Sequence, residues 1–186
     1  MACTKPVHRH LAAVSICALA ALPAGTALGA SEPLPPTKPT PSTPHSVLKS
    51  RLLWATIDVC SPADQPDTIG IRGSMPGDDQ THGTMYMSFR VQYLDPTTTH
   101  WVDLGGGAST GFVEAGTATA PRQAGRSFTL TPVPGKPAFT LRGVVSFQWR
   151  LGASIVQSGS RTTTPGRHSL AGADPASFSA ASCQIG

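Results

Sequence analysis

Two long runs of strict two-residue alternation constrain this chain more than any other feature. Met85, Met87, Phe89, Val91 and Tyr93 interleave with Tyr86, Ser88, Arg90 and Gln92. Phe139, Leu141, Gly143, Val145, Phe147, Trp149 and Leu151 continue the pattern over a longer span. Successive side chains of a strand point to opposite faces, so such runs describe half-buried β-strands, apolar inward and polar outward. Leu53, Ala55, Ile57 and Val59 form a third run, and Ile69 and Ile71 a fourth. Shorter strand candidates are 100–104, 111–114, 127–131, 154–158 and 177–185. Between them lie turn formers: Pro76-Gly-Asp-Asp, Asp95-Pro-Thr-Thr-Thr, Gly105-Gly-Gly, Pro134-Gly-Lys-Pro, Pro165-Gly and Asp174-Pro. Seven to nine strands with no credible helix predict an all-β fold, a single antiparallel sandwich over residues 50–186.

Composition agrees. Only 13% of the 186 residues are charged, and 19 glycines and 18 prolines punctuate the chain. Ordinary domains carry roughly 25% charge. Coiled coils and helix bundles are excluded, because no Ala/Glu/Lys/Leu-rich periodic block occurs beyond the N-terminus. Full disorder is excluded by the Val, Phe, Trp and Tyr content of the second half.

The first 30 residues read as a secretory signal peptide. Lys5 and Arg9 precede an apolar run, Leu11 to Leu22, and the small residues Ala27 to Ala30 follow. Cleavage after Gly29 or Ala30 is expected. An uncleaved anchor would need about 20 apolar residues, and Cys17 lies inside the run rather than at its exit, where a lipid carrier belongs. Residues 31–49 read as a Pro-rich linker with six prolines in residues 31–46, too polar to offset its ordering entropy. The expected location is therefore secreted or cell-envelope associated, with no transmembrane helix in the mature chain. That chain holds 12 basic and 10 acidic side chains, which gives no reason to expect nucleic acid as a partner.

Two cysteines remain beyond the signal, Cys60 and Cys183, 123 positions apart. A lone pair in an oxidising compartment reads as one disulfide joining the first strand to the last. Neither has a Cys or His close enough in sequence for a metal motif.

Phe89-Arg-Val-Gln-Tyr93, followed by a turn and Trp101, resembles the third-strand region of fibronectin type III and related immunoglobulin-like modules. Phe139 to Trp149 is similar to their long sixth strand. The chain also resembles secreted proteins of high-GC Gram-positive bacteria. The resemblance implies an immunoglobulin-like sandwich over about residues 52–165 and transfers no functional residue.

Catalytic signals are weak. Gly107-Ala-Ser109-Thr-Gly111 matches a hydrolase elbow by letter, but no helix follows the serine. Asp78, Asp79 and His82 share a loop and are the weak metal candidates, short of the ligands that calcium or zinc would want. Acid pairs for glycoside hydrolysis would come from Asp58, Asp95, Asp103, Glu114 and Asp174, most of them in turns. No cofactor is implied. Trp54 and Trp101 could stack on sugars or fill the sandwich rim.

Alternation also predicts a surface. Tyr86, Arg90 and Gln92 on one strand, and Arg142, Gln148 and Arg150 on another, should face outward on one sheet, with no acid among them. Arg forks bind carboxylate and phosphate in bidentate fashion. The reading is a non-catalytic binding module for an anionic cell-envelope polymer or an acidic protein. The alternative is a small secreted hydrolase or carbohydrate-binding protein with a site at the loop ends.

Overall fold

The computed structural model describes residues 47–186. The expected signal peptide (1–30) and residues 31–46 of the linker lie outside the described residues. Nine strands follow: β1 (Trp54–Cys60), β2 (Thr68–Met75), β3 (Gly83–Leu94), β4 (Trp101–Asp103), β5 (Val113–Thr117), β6 (Arg122–Thr129), β7 (Phe139–Leu151), β8 (Ser154–Thr162) and β9 (Cys183–Ile185).

They form two antiparallel sheets, as the alternation predicts. One has three strands in the order β1-β2-β6. The other has six: β4-β3-β7-β8, with β5 also beside β3 and β9 also beside β7. The two long alternating runs pair directly, from Gly83 opposite Leu151 to Tyr93 opposite Leu141. Their inward residues Met85, Met87, Phe89, Val91, Leu141, Val145, Phe147 and Trp149 are all fully buried. From the other sheet Ala55, Ile57, Ile69, Ile71 and Phe128 complete the core.

The indole of Trp149 donates to the Pro76 carbonyl at 3.0 Å, so its one polar atom is satisfied in the core. Gly143 occupies an inward position of β7 for a steric reason. A Cβ there would sit 2.8 Å from both Ile71 Cδ1 and Ile71 Cγ2, so the sheets approach too closely for any side chain.

Cys60 and Cys183 are disulfide-bonded with Cα atoms 5.6 Å apart. The bridge joins β1 of the three-stranded sheet to β9 of the six-stranded sheet, and so clamps the two layers.

Three strand expectations need correction. The strand predicted over 127–131 begins earlier, at Arg122, because the small residues Ala124 and Gly125 pair with β2 without an apolar signal. The strand predicted over 111–114 shifts to Val113–Thr117. The final strand predicted over 177–185 shrinks to Cys183–Ile185. Residues 165–182 instead form a strap along the free edge of β1. Ile57 and Ala180 exchange backbone hydrogen bonds at 3.0 Å, and Asp174 N–H donates to the Asp58 carbonyl at 2.8 Å.

This strap changes the chemistry of β1. Trp54, Thr56 and Asp58, placed on the solvent side by alternation, are 7%, 0% and 4% exposed. Each has a partner, as burial requires. The Arg167 guanidinium lies 4.9 Å from the Trp54 ring. Thr56 Oγ1 is 2.8 Å from Ser179 Oγ. Arg72 Nε donates to Asp58 Oδ2 at 2.7 Å. Trp54 is thus a rim residue under the strap rather than an exposed stacking platform.

Candidate functional site

The pairing of β3 with β7 places the alternating polar residues of both on the outer face of the six-stranded sheet. Cross-strand rows follow from the register: Gln92 beside Arg142, Arg90 beside Val144, Ser88 beside Ser146, Tyr86 beside Gln148 and Thr84 beside Arg150. β8 extends four of them, with Thr162 opposite Val144, Ser160 opposite Ser146, Ser158 opposite Gln148 and Ile155 opposite Arg150. All six predicted face residues, Tyr86, Arg90, Gln92, Arg142, Gln148 and Arg150, therefore share one surface.

Two Arg–aromatic stacks mark its ends. At one end the Arg142 guanidinium lies 4.3 Å from the Trp101 ring centroid, within cation–π range. Its Nε donates to Gln92 Oε1 at 2.9 Å, and Gln92 Nε2 donates to Asp103 Oδ1 at 2.8 Å. Partial burial pulls the Arg142 guanidinium below its ordinary pKa, by disfavouring the charged form. At the other end Arg150 lies 4.2 Å from the Tyr86 ring and 5.5 Å from that of Phe112. Its Nε and Nη2 both donate to Gln148 Oε1, at 2.9 and 2.5 Å. Eight residue-to-residue steps along β7 separate the two arginines, roughly 27 Å at about 3.4 Å per step. Between them a shallow groove of about 320 Å³ is lined by Phe112, Ser146, Gln148, Ser158 and Ser160.

The expectation of a face without acid is corrected. β4 pairs with β3 so that Asp103 lies opposite Gln92. Asp103 Oδ1 also sits 3.1 Å from Arg90 Nε. That nitrogen is shielded from solvent, yet its N–H is not aimed at the carboxylate, so the contact is a charge pair without a hydrogen bond. The register of β4 depends on the 95–100 turn, which strand alternation alone does not reveal. Trp101, Phe112 and the β8 serines were likewise not assigned to this face by alternation. Trp101 is half-buried, with one ring face against Arg142.

The other expected residues are dispersed. Asp78 Oδ1 accepts the Gln80 N–H at 3.1 Å and so closes its own turn. Asp79 has a positive φ of 61°, and His82 is exposed. Among the described residues no three His, Cys, Asp or Glu side chains gather to hold a metal ion. Ser109 lies in an exposed loop, bridged to Arg90 of β3. Asp58 is committed to Arg72, and Glu114 is exposed on β5.

Asp95 and Asp174 titrate in opposite directions. The Thr97 N–H and the Thr98 hydroxyl hold the Asp95 carboxyl below the usual 3.8. Partial desolvation, then the like charge of Asp64 and a hydrogen bond with it, push Asp174 up. A depressed carboxylate stabilises the fold above its unfolded pKa and loses that contribution as pH falls through the folded value. Asp95→Asn should therefore lower the melting temperature at neutral pH, with the difference closing as pH drops below about 3.8. The sign reverses for a raised carboxylate. Asp174→Asn should raise the melting temperature at neutral pH, and the gain should vanish as pH falls through the raised pKa. Melting curves of both variants across pH check the two signs.

Charge is segregated along the chain. No Asp or Glu occurs from 115 to 173, whereas Arg122, Arg126, Lys136, Arg142, Arg150, Arg161 and Arg167 do. β6, β7 and β8 all come from this stretch. Among the described residues no helix is long and apolar enough to cross a membrane.

No family model matches the chain, and no curated protein does. Among solved structures it is similar to that of Pseudomonas fluorescens alkylpurine DNA glycosylase AlkC bound to DNA containing an abasic site analog. The TM-score is 0.32 at 13% identity, and the match covers 60% of this chain and 28% of that one. A likeness of this degree carries no functional argument.

Proposed function

We propose that this protein is an exported, non-catalytic, immunoglobulin-like module that binds an anionic cell-envelope polymer along the outer face of its six-stranded sheet. One observation carries the reading: Arg142 and Arg150 are braced on aromatic rings at the two ends of one continuous polar face. Bracing lowers the entropy lost when a guanidinium is fixed on a ligand. Only Nε of Arg142 is hydrogen-bonded within the described residues, which leaves its terminal N–H groups for an acceptor. The length of the face and its shallow groove suit an extended chain better than a compact metabolite. Export is supported by the N-terminal sequence and by the Cys60–Cys183 disulfide. The sheet order β1-β2-β6 against β4-β3-β7-β8 supports the immunoglobulin-like resemblance.

The test is binding of purified teichoic acid, with neutral dextran as control. Binding should fall steeply between about 0.1 and 1 M salt, as the Debye length shrinks from about 10 to 3 Å. Arg142→Glu and Arg150→Glu together should weaken it at least tenfold, about 1.4 kcal/mol, and by more than either alone. Binding to dextran, or binding indifferent to both substitutions, would locate the ligand surface elsewhere.

A further inference from the structure

The three-stranded sheet has two edges, and they are treated differently. The β1 edge is closed by the strap through Ile57 and Ala180. The β6 edge has no partner strand among the described residues. β8, also an edge strand, is partly covered: Arg161 donates to the Leu48 carbonyl, and a Cβ at Gly159 would meet Leu48 Cδ2 at 2.8 Å.

The phase of the β6 ladder follows from one bond. Leu130 N–H donates to the Asp67 carbonyl, two residues from the opposed pair Ile69 and Phe128. Directly opposed residues of an antiparallel ladder alternate between bonded and unbonded pairs. Gln123, Gly125, Ser127 and Thr129 therefore turn their backbone N–H and C=O groups away from β2, and all four are exposed. An open row of this kind is a template for another strand.

Beside the C-terminal half of that edge the sheets gape. A cleft of about 590 Å³ opens there, with Phe128, Leu130, Phe139 and Ile185 among its lining residues. Its far wall is Gly105-Gly106-Gly107, with φ values of 70°, 53° and 89°. That left-handed backbone favours glycine, and beyond the glycine and its chain neighbours no heavy atom lies within 4 Å of where a Cβ would stand on any of the three. Arg126 lies two residues before Phe128, hence on the same face of β6, and it is exposed. A charge at an edge normally blocks indiscriminate strand addition, and among the described residues Arg126 is in no ion pair, whereas Arg72 pairs with Asp58 and Arg90 with Asp103.

We infer that β6 accepts an extended segment of a partner protein as a fourth strand. The segment carries an acidic residue two positions from an apolar one. Strand pairing preserves two-residue spacing on one face. The carboxylate then meets Arg126, while the apolar side chain enters the cleft beside Phe128. This surface is separate from the arginine–aromatic face and does not depend on it.

The probe is a blocked, fluorescently labelled peptide, Thr-Val-Thr-Glu-Thr-Val-Thr, whose symmetric pattern fits either strand direction. A Lys-for-Glu version is its counterpart. The Glu peptide should bind saturably and slow amide exchange at Gln123, Gly125, Ser127 and Thr129. The Lys peptide should bind at least tenfold more weakly. Ser127→Pro removes an outward N–H without touching the β2 ladder and should weaken Glu-peptide binding at least tenfold. Arg126→Glu should invert the preference between the peptides, which keeps the idea testable should the proline variant fold poorly. Arg142→Glu should change nothing here. Equal binding of both peptides, or no protection of the four amides, would overturn the inference. Protection of those amides without peptide, alongside a concentration-dependent dimer, would assign the edge to a second copy of this chain and overturn the partner named here.

Discussion

Replacing Cys183 with alanine should lower the free energy of unfolding by about 2–5 kcal/mol. The bridge closes a separation of 123 residues, so its loss frees a large unfolded-state loop. The native state loses a specific clamp as well. β9 is only three residues long and pairs with β7 from Phe139 to Leu141. The strap meets β1 at Thr56, Ile57 and Asp58 just before the chain enters β9. Without the bridge these contacts should open first, before the β3–β7 centre. Since domains commonly have about 5–15 kcal/mol in total, a loss of this size is a large share of the whole. Urea unfolding of the variant, and of the native protein with and without reductant, checks the magnitude. Amide exchange should rise earliest at Ala180 and in β9. A denaturation midpoint unmoved by reductant would mean that core packing and the strap's hydrogen bonds hold the layers together without the bridge.

Trp149→Ala should cost about 3–5 kcal/mol, the range for emptying a large aromatic site in a packed core. Trp149 is fully buried near the C-terminal end of β7, the longest alternating strand, opposite Met85 on β3. The substitution removes both the packing and the bond to the Pro76 carbonyl. Trp149→Phe separates the two contributions. It keeps most of the volume but leaves that carbonyl without its donor, for a cost of about 1–3 kcal/mol. Leu151→Ala on the same strand, at a side chain 49% exposed, should stay within about 0.5 kcal/mol. Equal effects at positions 149 and 151 would contradict the burial pattern of β7.

The arginine face illustrates how far alternation carries. Phe89, Val91, Phe147 and Trp149 must be inside, so Arg90, Arg142 and Arg150 fall outside by the same two-residue period. A one-residue slip would bury three guanidinium groups. What alternation leaves open is how those guanidinium groups are engaged. Arg142 rests on Trp101, from a strand three residues long whose register a turn decides. Arg90 meets Asp103 through the same hairpin. Arg150 touches Phe112, at the end of a glycine-rich loop with no periodic pattern to read. The face is thus less naked and more ordered than its strands alone imply.

Local patterning by itself determined the all-β class, the two long central strands, their inward faces and the pairing of two distant cysteines. These follow from side-chain period and cysteine count, properties of a single segment or of the chain as a whole. Tertiary structure alone decided that Thr56 and Asp58 are buried, because the strap covering them comes from more than 100 positions away and carries no strand period. It alone decided that the acid-free face holds Asp103, and that β6 lies open beside a cleft while β1 is closed. Edges, covers and cross-strand neighbours are relations between segments, and the periodicity of one segment contains no information about which other will lie against it.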